Sequence, residues 1–137
     1  MYDILRAYFL TAATLDGMNA AFVQSWISAW NRHELDAVLT HYAESVKFTS
    51  PKAQQVIGKS TLEGKDGLRR YWSKGMEAFP DLLFELDHWI WDEQRHELVI
   101  VYSARLGGTV SRVCEILCFG SDGIIFSGEA MYGATLS

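Results

Sequence analysis

The chain has 137 residues, of which 49% are hydrophobic and 13% aromatic, and its formal net charge is −5. This length fits one domain with its own core, and the composition excludes an intrinsically disordered chain. The negative charge and the lack of a basic segment argue against nucleic acid as a partner.

The first 18 residues are the one candidate for a targeting segment. Their apolar stretch is interrupted by threonine and is too short to span a bilayer, so no membrane partner is expected. We predict an N-terminal extension over residues 1–18, either an extra helix or a loosely ordered segment, and a single domain over residues 19–137. Cys114 and Cys118 lie four apart on a predicted strand, roughly 13 Å at about 3.3 Å per residue, too far for a disulfide. Free thiols predict a reducing, cytoplasmic location.

Hydrophobic periodicity predicts two consecutive helices at the start of the domain, broken near residues 31–33. The apolar faces are Phe22, Trp26, Ile27 and Trp30 on the first helix, and Leu35, Val38, Leu39 and Tyr42 on the second. The stretch VKFTSP then predicts a strand that Pro51 stops. A loop rich in Gly and Lys leads to a third helix, KDGLRRYWSKGMEAF, closed by Pro80.

The remainder of the chain is predicted to be strand. Turns at residues 92–96, 107–108 and 120–123 join four long runs, LLFELDHWIW, ELVIVYSARL, TVSRVCEILCF and IIFSGEAMYG. The last two turns carry the glycines that tight turns need. Helices followed by a long antiparallel meander predict an α+β fold, not the alternating pattern of a parallel nucleotide-binding sheet.

Four stretches in this order resemble the signature segments of SnoaL-like proteins, a bacterial branch of the nuclear transport factor 2 (NTF2)-like superfamily. They are AWNRHELDAVLTHYAESVKFTSP, GKDGLRRYW, FPDLLFEL and FGSDGIIFSGEAMYG. The resemblance runs from about Asn19 to Ala134 and implies a cone-shaped fold, in which a curved antiparallel sheet wraps around three N-terminal helices. The family includes isomerases, dehydratases, polyketide cyclases, epoxide hydrolases and members without known catalysis, so the fold alone does not assign a function.

Strand parity predicts which side chains face the inside of the cone, because successive side chains point to opposite faces. The predicted inward residues are Phe84, Leu86 and His88, then Leu98, Ile100 and Tyr102, then Val113, Glu115, Leu117 and Phe119, then Ala130 and Tyr132. This set predicts an apolar, aromatic cavity whose polar points are Glu115, His88, Tyr102 and Tyr132. Such a composition is typical of a small-molecule site.

A distant similarity to ketosteroid isomerase places Glu115 where that enzyme has a pocket acid that stabilises an oxyanion. The same similarity puts Ser50 at the position of its aspartate base and Trp26 at that of its second, tyrosine donor, so steroid-type isomerisation is not expected. Epoxide hydrolases of the superfamily need an inward arginine, whereas Arg112 has outward parity and Arg105 lies at a strand end. The remaining resemblance is to cyclases that use one pocket acid.

Two classes of function therefore stay open. One is a cofactor-independent isomerase, cyclase or lyase acting on a small hydrophobic carbonyl compound. The other is a non-catalytic module that binds a hydrophobic molecule, or a dimeric scaffold. The candidate catalytic residues are Glu115 and His88, and the candidate ligand-binding residues are Trp26, Trp30, Ser50, Trp72, Phe84, Ile100, Tyr102 and Tyr132.

Each candidate also has a structural interpretation. The aromatic residues are equally typical of core packing, and Ser50 before a proline is typical of backbone capping. Glu115 is predicted to be protonated near neutrality if desolvation dominates, but a fixed anion if it pairs with His88.

No cofactor and no metal are predicted. The stretch GKST at residues 58–61 imitates a phosphate-binding loop, but Ala53 stands where that loop needs glycine. His41 and Glu44 have the spacing of one helical face, yet no third ligand accompanies them.

The outer face of the sheet is predicted to be unusually apolar. Its outward residues are Trp89, Trp91, Val99, Val101, Cys114, Ile116 and Cys118. A sheet covered by helices on one side normally exposes polar residues on the other, so this face predicts a homodimer, as the resemblance also implies.

Overall fold

The structure is a computed structural model that describes the backbone of residues 2–137 and the side chains of residues 16–137. It has an α+β fold with four helices and an open, curved sheet of six strands. The helices are α1 (Tyr2–Asn31), α2 (Leu35–Leu39), α3 (Pro51–Ile57) and α4 (Lys65–Ala78). The strands are β1 (Tyr42–Thr49), β2 (Thr61–Glu63), β3 (Leu83–Asp92), β4 (Glu97–Leu106), β5 (Thr109–Phe119) and β6 (Ile125–Leu136).

The strand order across the sheet is β2-β1-β6-β5-β4-β3. Neighbouring strands are antiparallel except for the β1–β6 pair, which is parallel. Strand β5 therefore lies inside the sheet, hydrogen-bonded on both sides. Glu115, in the middle of β5, pairs with Ile100 of β4 and Ala130 of β6, so it is as far from the sheet edges as this fold allows.

The predicted fold class and the four-strand meander are confirmed. Strands β4 and β5 have the bounds of the predicted runs, and β3 and β6 differ from theirs by a few residues. The turn between β4 and β5 uses Gly107 and Gly108, whose φ angles of 62° and 81° favour glycine. The Asp81 carboxylate accepts hydrogen bonds of 2.8 Å from the backbone N–H groups of both glycines, which fixes this turn against the end of the helical layer.

Two sequence predictions between residues 40 and 63 are wrong. Tyr42 begins strand β1 instead of ending the second helix. Its inward ring fits both the helical period of 3.6 residues and the strand period of two, so hydrophobic periodicity could not distinguish them. The strand does end before Pro51, but the loop predicted after it is wrong, because it contains helix α3 and strand β2. Pro51 is the first residue of α3, because Ser50 caps that helix and a proline at the first helical position lacks only an N–H that would have no partner there.

The core lies between the sheet and the helices α1 and α4. The buried indoles of Trp26, Trp30 and Trp72 meet the inward side chains of the strands through edge-to-face and stacked ring contacts. The predicted inward sets on β4 and β5 are confirmed, since Leu98, Ile100, Tyr102, Val113 and Leu117 are at most 2% exposed.

Helix α1 is continuous through Asn19, where the domain was predicted to begin. The side chains of residues 1–15 of the predicted extension lie outside the described residues, so the boundary at Asn19 stays a prediction. Among the described residues, no helix combines the length and the apolar character needed to cross a bilayer.

Candidate functional site

A β-bulge in β3 decides where His88 points. Leu86 pairs with Tyr102, but the next pair is His88 with Val101, so Asp87 is an extra residue in β3. One extra residue exchanges the faces of all the side chains that follow it. The prediction that His88 faces inward is therefore wrong. His88 lies on the outer face with 53% of its side chain exposed, and its Nδ1 is 2.6 Å from Asp87 Oδ2.

The same bulge turns two tryptophans inward. Trp89 lies opposite Ile100, and Trp91 lies opposite Leu98, both on the inner face of β4. Trp91 packs edge-to-face on Phe119 with ring centroids 5.9 Å apart. The prediction that both indoles belong to the outer face is wrong.

Glu115 is buried, at 3% exposure, and no positively charged group among the described residues lies beside it. Among the described residues, the Tyr102 hydroxyl donates a long hydrogen bond of 3.5 Å to Oε2 of Glu115. Burial raises the pKa of Glu115 from 4.5 to about 8, and the Tyr102 hydrogen bond opposes this rise only in part. Since His88 points away, desolvation is the effect that dominates at this carboxyl group.

Glu115 lines the cavity described next. Its Oε1 makes no hydrogen bond to the described residues. The carboxyl group can exchange a hydrogen bond or a proton with a molecule in that cavity.

A cavity lies between the sheet and the helices α3 and α4. Its volume of about 50 Å³ corresponds to about three to five water positions at roughly 10–15 Å³ each. The predicted site residues that line it are Trp30, Ser50, Trp72, Phe84, Tyr102, Glu115 and Tyr132. The two other predicted ligand-binding residues, Trp26 and Ile100, are fully buried and absent from its lining.

Trp26 has a structural contact instead of a cavity position. Its Nε1 donates a hydrogen bond of 3.2 Å to the hydroxyl of Tyr42, and its ring packs against Tyr102 and Phe84. These contacts account for its complete burial.

Ser50 caps a helix, as the sequence suggested, and it also lines the cavity. Its Oγ accepts a hydrogen bond of 3.2 Å from the backbone N–H of Lys52, which caps α3. The same Oγ lies 3.1 Å from the hydroxyl of Tyr71, and Ser50 lines the cavity at 1% exposure. The cap therefore also fixes one wall of the cavity.

Four tyrosines lie within electrostatic reach of Glu115. Burial raises the pKa of Tyr42, Tyr102 and Tyr132 well above the ordinary value, and that of Tyr71 to about 12. A negative charge on Glu115 raises all four further. These phenols therefore stay neutral at physiological pH and offer O–H donors around the acid.

Sequence reasoning missed Tyr71 and Lys52, which both line the cavity. A signal for Tyr71 was present, because Leu68, Tyr71 and Trp72 have the i, i+3, i+4 spacing of one buried helical face. The Ser-Pro pair at residues 50–51 is a helix-start signature and would have placed Lys52 in a first helical turn.

Among the described side chains, no arginine lines the cavity as an epoxide hydrolase of this superfamily would need. Arg112 lies on the outer face, as predicted, where its Nη2 is 3.6 Å from Asp87 Oδ2. Among the described side chains, no group of three or more His, Cys, Asp or Glu residues is placed to hold a metal ion.

Comparison with known proteins identifies the family. The sequence profile of the SnoaL-like domain matches residues 23–127. A SnoaL-like protein of unknown function from Burkholderia thailandensis is 32% identical and superposes with a TM-score of 0.76 over 86% of this chain and 97% of its own. No curated protein matches the sequence.

Two further structures share the fold at lower identity. SalBIII, described as an epoxide hydrolase/cyclase-like enzyme in pyran ring formation, is 16% identical, with a TM-score of 0.68 over 86% of this chain and 92% of its own. TerC, crystallised with polyporic acid, is 11% identical, with a TM-score of 0.69 over 84% and 91%. The profile match and the 32% identical relative show that this chain belongs to the SnoaL-like family.

Proposed function

We propose that the chain binds a small, largely apolar carbonyl compound in the cavity and that Glu115 exchanges protons with it, in a reaction of the isomerase, cyclase or lyase type. The observation that carries this proposal is the state of Glu115. It is a buried carboxyl group that lines the cavity and has no cationic partner among the described residues. Burying such a group costs free energy, and the long Tyr102 hydrogen bond compensates for it only in part.

The raised pKa suits acid–base chemistry. With a pKa of about 8, Glu115 is mainly a neutral acid at pH 7, and a minor fraction of the protein carries the ionised carboxylate. A group with a pKa near the working pH is the most effective general acid or base. The neutral form can donate a hydrogen bond to a carbonyl oxygen, and the ionised form can remove a proton from the carbon beside that carbonyl.

The cavity walls set the kind of molecule. They combine aromatic rings with the hydroxyls of Tyr71, Tyr102 and Tyr132, so an apolar body with one or two oxygen acceptors fits them best. The enclosed volume of about 50 Å³ is about a third of the ~150 Å³ cavity that binds benzene, so a ring-sized compound fits only with part of its body outside the cavity. The cyclase-like description of SalBIII and the polyporic acid bound to TerC support small-molecule chemistry for this fold.

Deuterium exchange tests the catalytic proposal without knowledge of the natural substrate. Cyclohexanone in D₂O is the probe, and NMR follows the loss of its α-protons. The wild-type protein is expected to accelerate the exchange over buffer, and Glu115→Gln to lose this acceleration by a factor on the order of 10²–10⁴, the usual range for an acid–base group. The glutamine keeps the shape of the side chain and removes its proton chemistry.

Glu77→Gln is the matched control, because Glu77 is an exposed glutamate of helix α4 that lies away from both the cavity lining and the outer face of the sheet. It should exchange cyclohexanone protons at the wild-type rate. Equal rates for wild type, Glu115→Gln and buffer would reject acid–base catalysis by Glu115.

A non-catalytic binding module is the second candidate. It is favoured by the outward position of His88, which leaves Glu115 and Lys52 as the acidic and basic residues in the cavity lining, without a histidine. Cyclohexanone binding that perturbs the tyrosine and tryptophan signals of the cavity, with α-proton exchange at the buffer rate, would select this function over the enzyme.

We also propose a homodimer through the outer face of the sheet. After the correction of Trp89 and Trp91, its apolar residues are Ile90, Val99, Val101, Cys114, Ile116, Cys118 and Met131, and Ile90 and Met131 are 55% and 48% exposed. An apolar face of this kind commonly marks an interface. Light scattering at micromolar concentration should return twice the chain mass of 15.5 kDa; the single mass would reject the dimer.

A further inference from the structure

The cavity has an open side that Lys52 of α3 and Met76 of α4 border, since both stay partly exposed. The other partly exposed lining residues are Val56, Gly75, Phe79, Leu106 and Tyr132. The mouth therefore lies among α3, the end of α4 and the neighbouring positions of β4 and β6. Glu115 is 3% exposed and lies at the inner end.

Lys52 is the cationic side chain of this mouth. It lies in the first turn of α3, where the Ser50 cap fixes the backbone, and its Nζ is 5.2 Å from the ring centroid of Tyr132. That distance is within the range of a cation–π contact, which holds the ammonium group beside the cavity. None of the ion pairs among the described residues includes Lys52.

The charge of the cavity is opposite to that of the chain. Its lining includes one lysine, Lys52, and one acidic residue, Glu115. Glu115 is mainly neutral at pH 7. The cavity thus carries a positive charge in a chain whose formal net charge is −5. An anion that enters it neutralises Lys52 and meets no carboxylate at the inner end.

We infer that the ligand of this cavity is a small, flat monocarboxylate, whose carboxylate pairs with Lys52 at the mouth while its apolar body lies among the rings of Trp30, Trp72 and Phe84. This inference rests on the proposed function for the location of the site and for the carbonyl group that would face Glu115. It adds the charge of the ligand and the residue that selects it. A carboxylate–ammonium hydrogen bond is stronger than a neutral one and is oriented by the fixed helix turn.

A matched pair of probes separates charge from shape. Benzoate and benzamide have nearly the same size and ring, but only benzoate is an anion at pH 7. Titration of ¹⁵N-labelled protein with each probe, followed at the indole N–H signals of Trp30 and Trp72, gives both affinities. Wild type should bind benzoate on the order of tenfold more tightly than benzamide, as expected for a gained charge-assisted hydrogen bond.

The variant Lys52→Met keeps an unbranched side chain and removes the charge. It should lose the preference for benzoate and leave benzamide affinity unchanged, whereas Lys52→Arg should keep the preference. Lys59→Met is the control, since Lys59 is exposed just beyond α3 and borders a different surface groove. Equal affinity of wild type for the two probes, no benzoate binding at millimolar concentration, or equal weakening of both probes by Lys52→Met would each overturn the inference.

The outcome can be told apart from that of the proposed function. Glu115→Gln should leave the Lys52-dependent preference for benzoate in place, because its glutamine is neutral like the protonated glutamate. If the variant retained wild-type proton exchange on cyclohexanone, acid–base catalysis by Glu115 would be rejected while the selectivity for anions would stand. If exchange depended on Glu115 but benzoate and benzamide bound equally, only the inference about Lys52 would fail.

Discussion

Glu115→Gln is expected to stabilise the folded protein by several kcal/mol at pH 9 and to change its stability little at pH 5. Burial raises the pKa of Glu115 from 4.5 to about 8, and each unit of such a shift is worth about 1.4 kcal/mol. Between pH 4.5 and about pH 8, the folded protein keeps the Glu115 proton, whereas the unfolded chain has released it. The free energy of unfolding therefore falls as the pH rises through this window, and the loss is complete above pH 8.

Glutamine at this position does not ionise, so the variant escapes this loss. Urea unfolding of both proteins at several pH values between 5 and 9 measures the difference, in which the titration of other groups largely cancels. Glu77→Gln provides the control and should follow the wild-type pH dependence, since Glu77 is exposed on α4, away from the outer face of the sheet. Parallel stability curves for wild type and Glu115→Gln would mean that the buried carboxyl is not protonated in the folded state.

Trp26→Ala is expected to lower the free energy of unfolding by about 3–5 kcal/mol, the usual cost of removing a buried aromatic side chain. Trp26 is 0% exposed and stacks on Phe84 with ring centroids 5.9 Å apart. Its loss also removes the hydrogen bond that Nε1 donates to the Tyr42 hydroxyl. Neighbours on α1 and on the sheet cannot close over a hole of this size.

Urea unfolding at pH 7 measures this change. Trp26→Phe keeps a ring and loses the N–H, so its loss should be clearly smaller and should show a folded protein even if the alanine variant does not fold. Trp91→Ala is the second comparison, because Trp91 is only partly buried. A loss for Trp26→Ala no larger than that for Trp91→Ala would mean that Trp26 is not a packing centre of the core.

The interior side of the sheet could be predicted where the strands are regular. Strands β4 and β5 pair without interruption from Glu97–Cys118 to Leu106–Thr109, so parity alone predicts that Glu115 and Tyr102 point inward. In β3 the same rule failed after Leu86. The bulge at Asp87 leaves no mark in the hydrophobic pattern, because His88, Trp89, Ile90 and Trp91 are plausible on either face.

The residues that line the cavity could be predicted only in part, because a short helix also leaves no mark in the hydrophobic pattern. Helix α3 is seven residues long, too short for a periodic pattern, and its start is marked only by the Ser-Pro pair. Lys52 and Val56 reach the cavity through that helix. Trp26 shows the opposite limit, since periodicity places an indole on the inner face but cannot distinguish a cavity wall from the packed core beneath it.

The carboxyl pKa of Glu115 in the free protein tests the central claim most directly. A ¹³C NMR titration of glutamate-labelled protein gives it, with the Glu115 signal identified by its absence in Glu115→Gln. We expect a pKa of about 8. A pKa near the ordinary value of 4.5 would show that the group is solvated or paired in solution, and it would contradict the role of Glu115 as a neutral, cavity-facing acid.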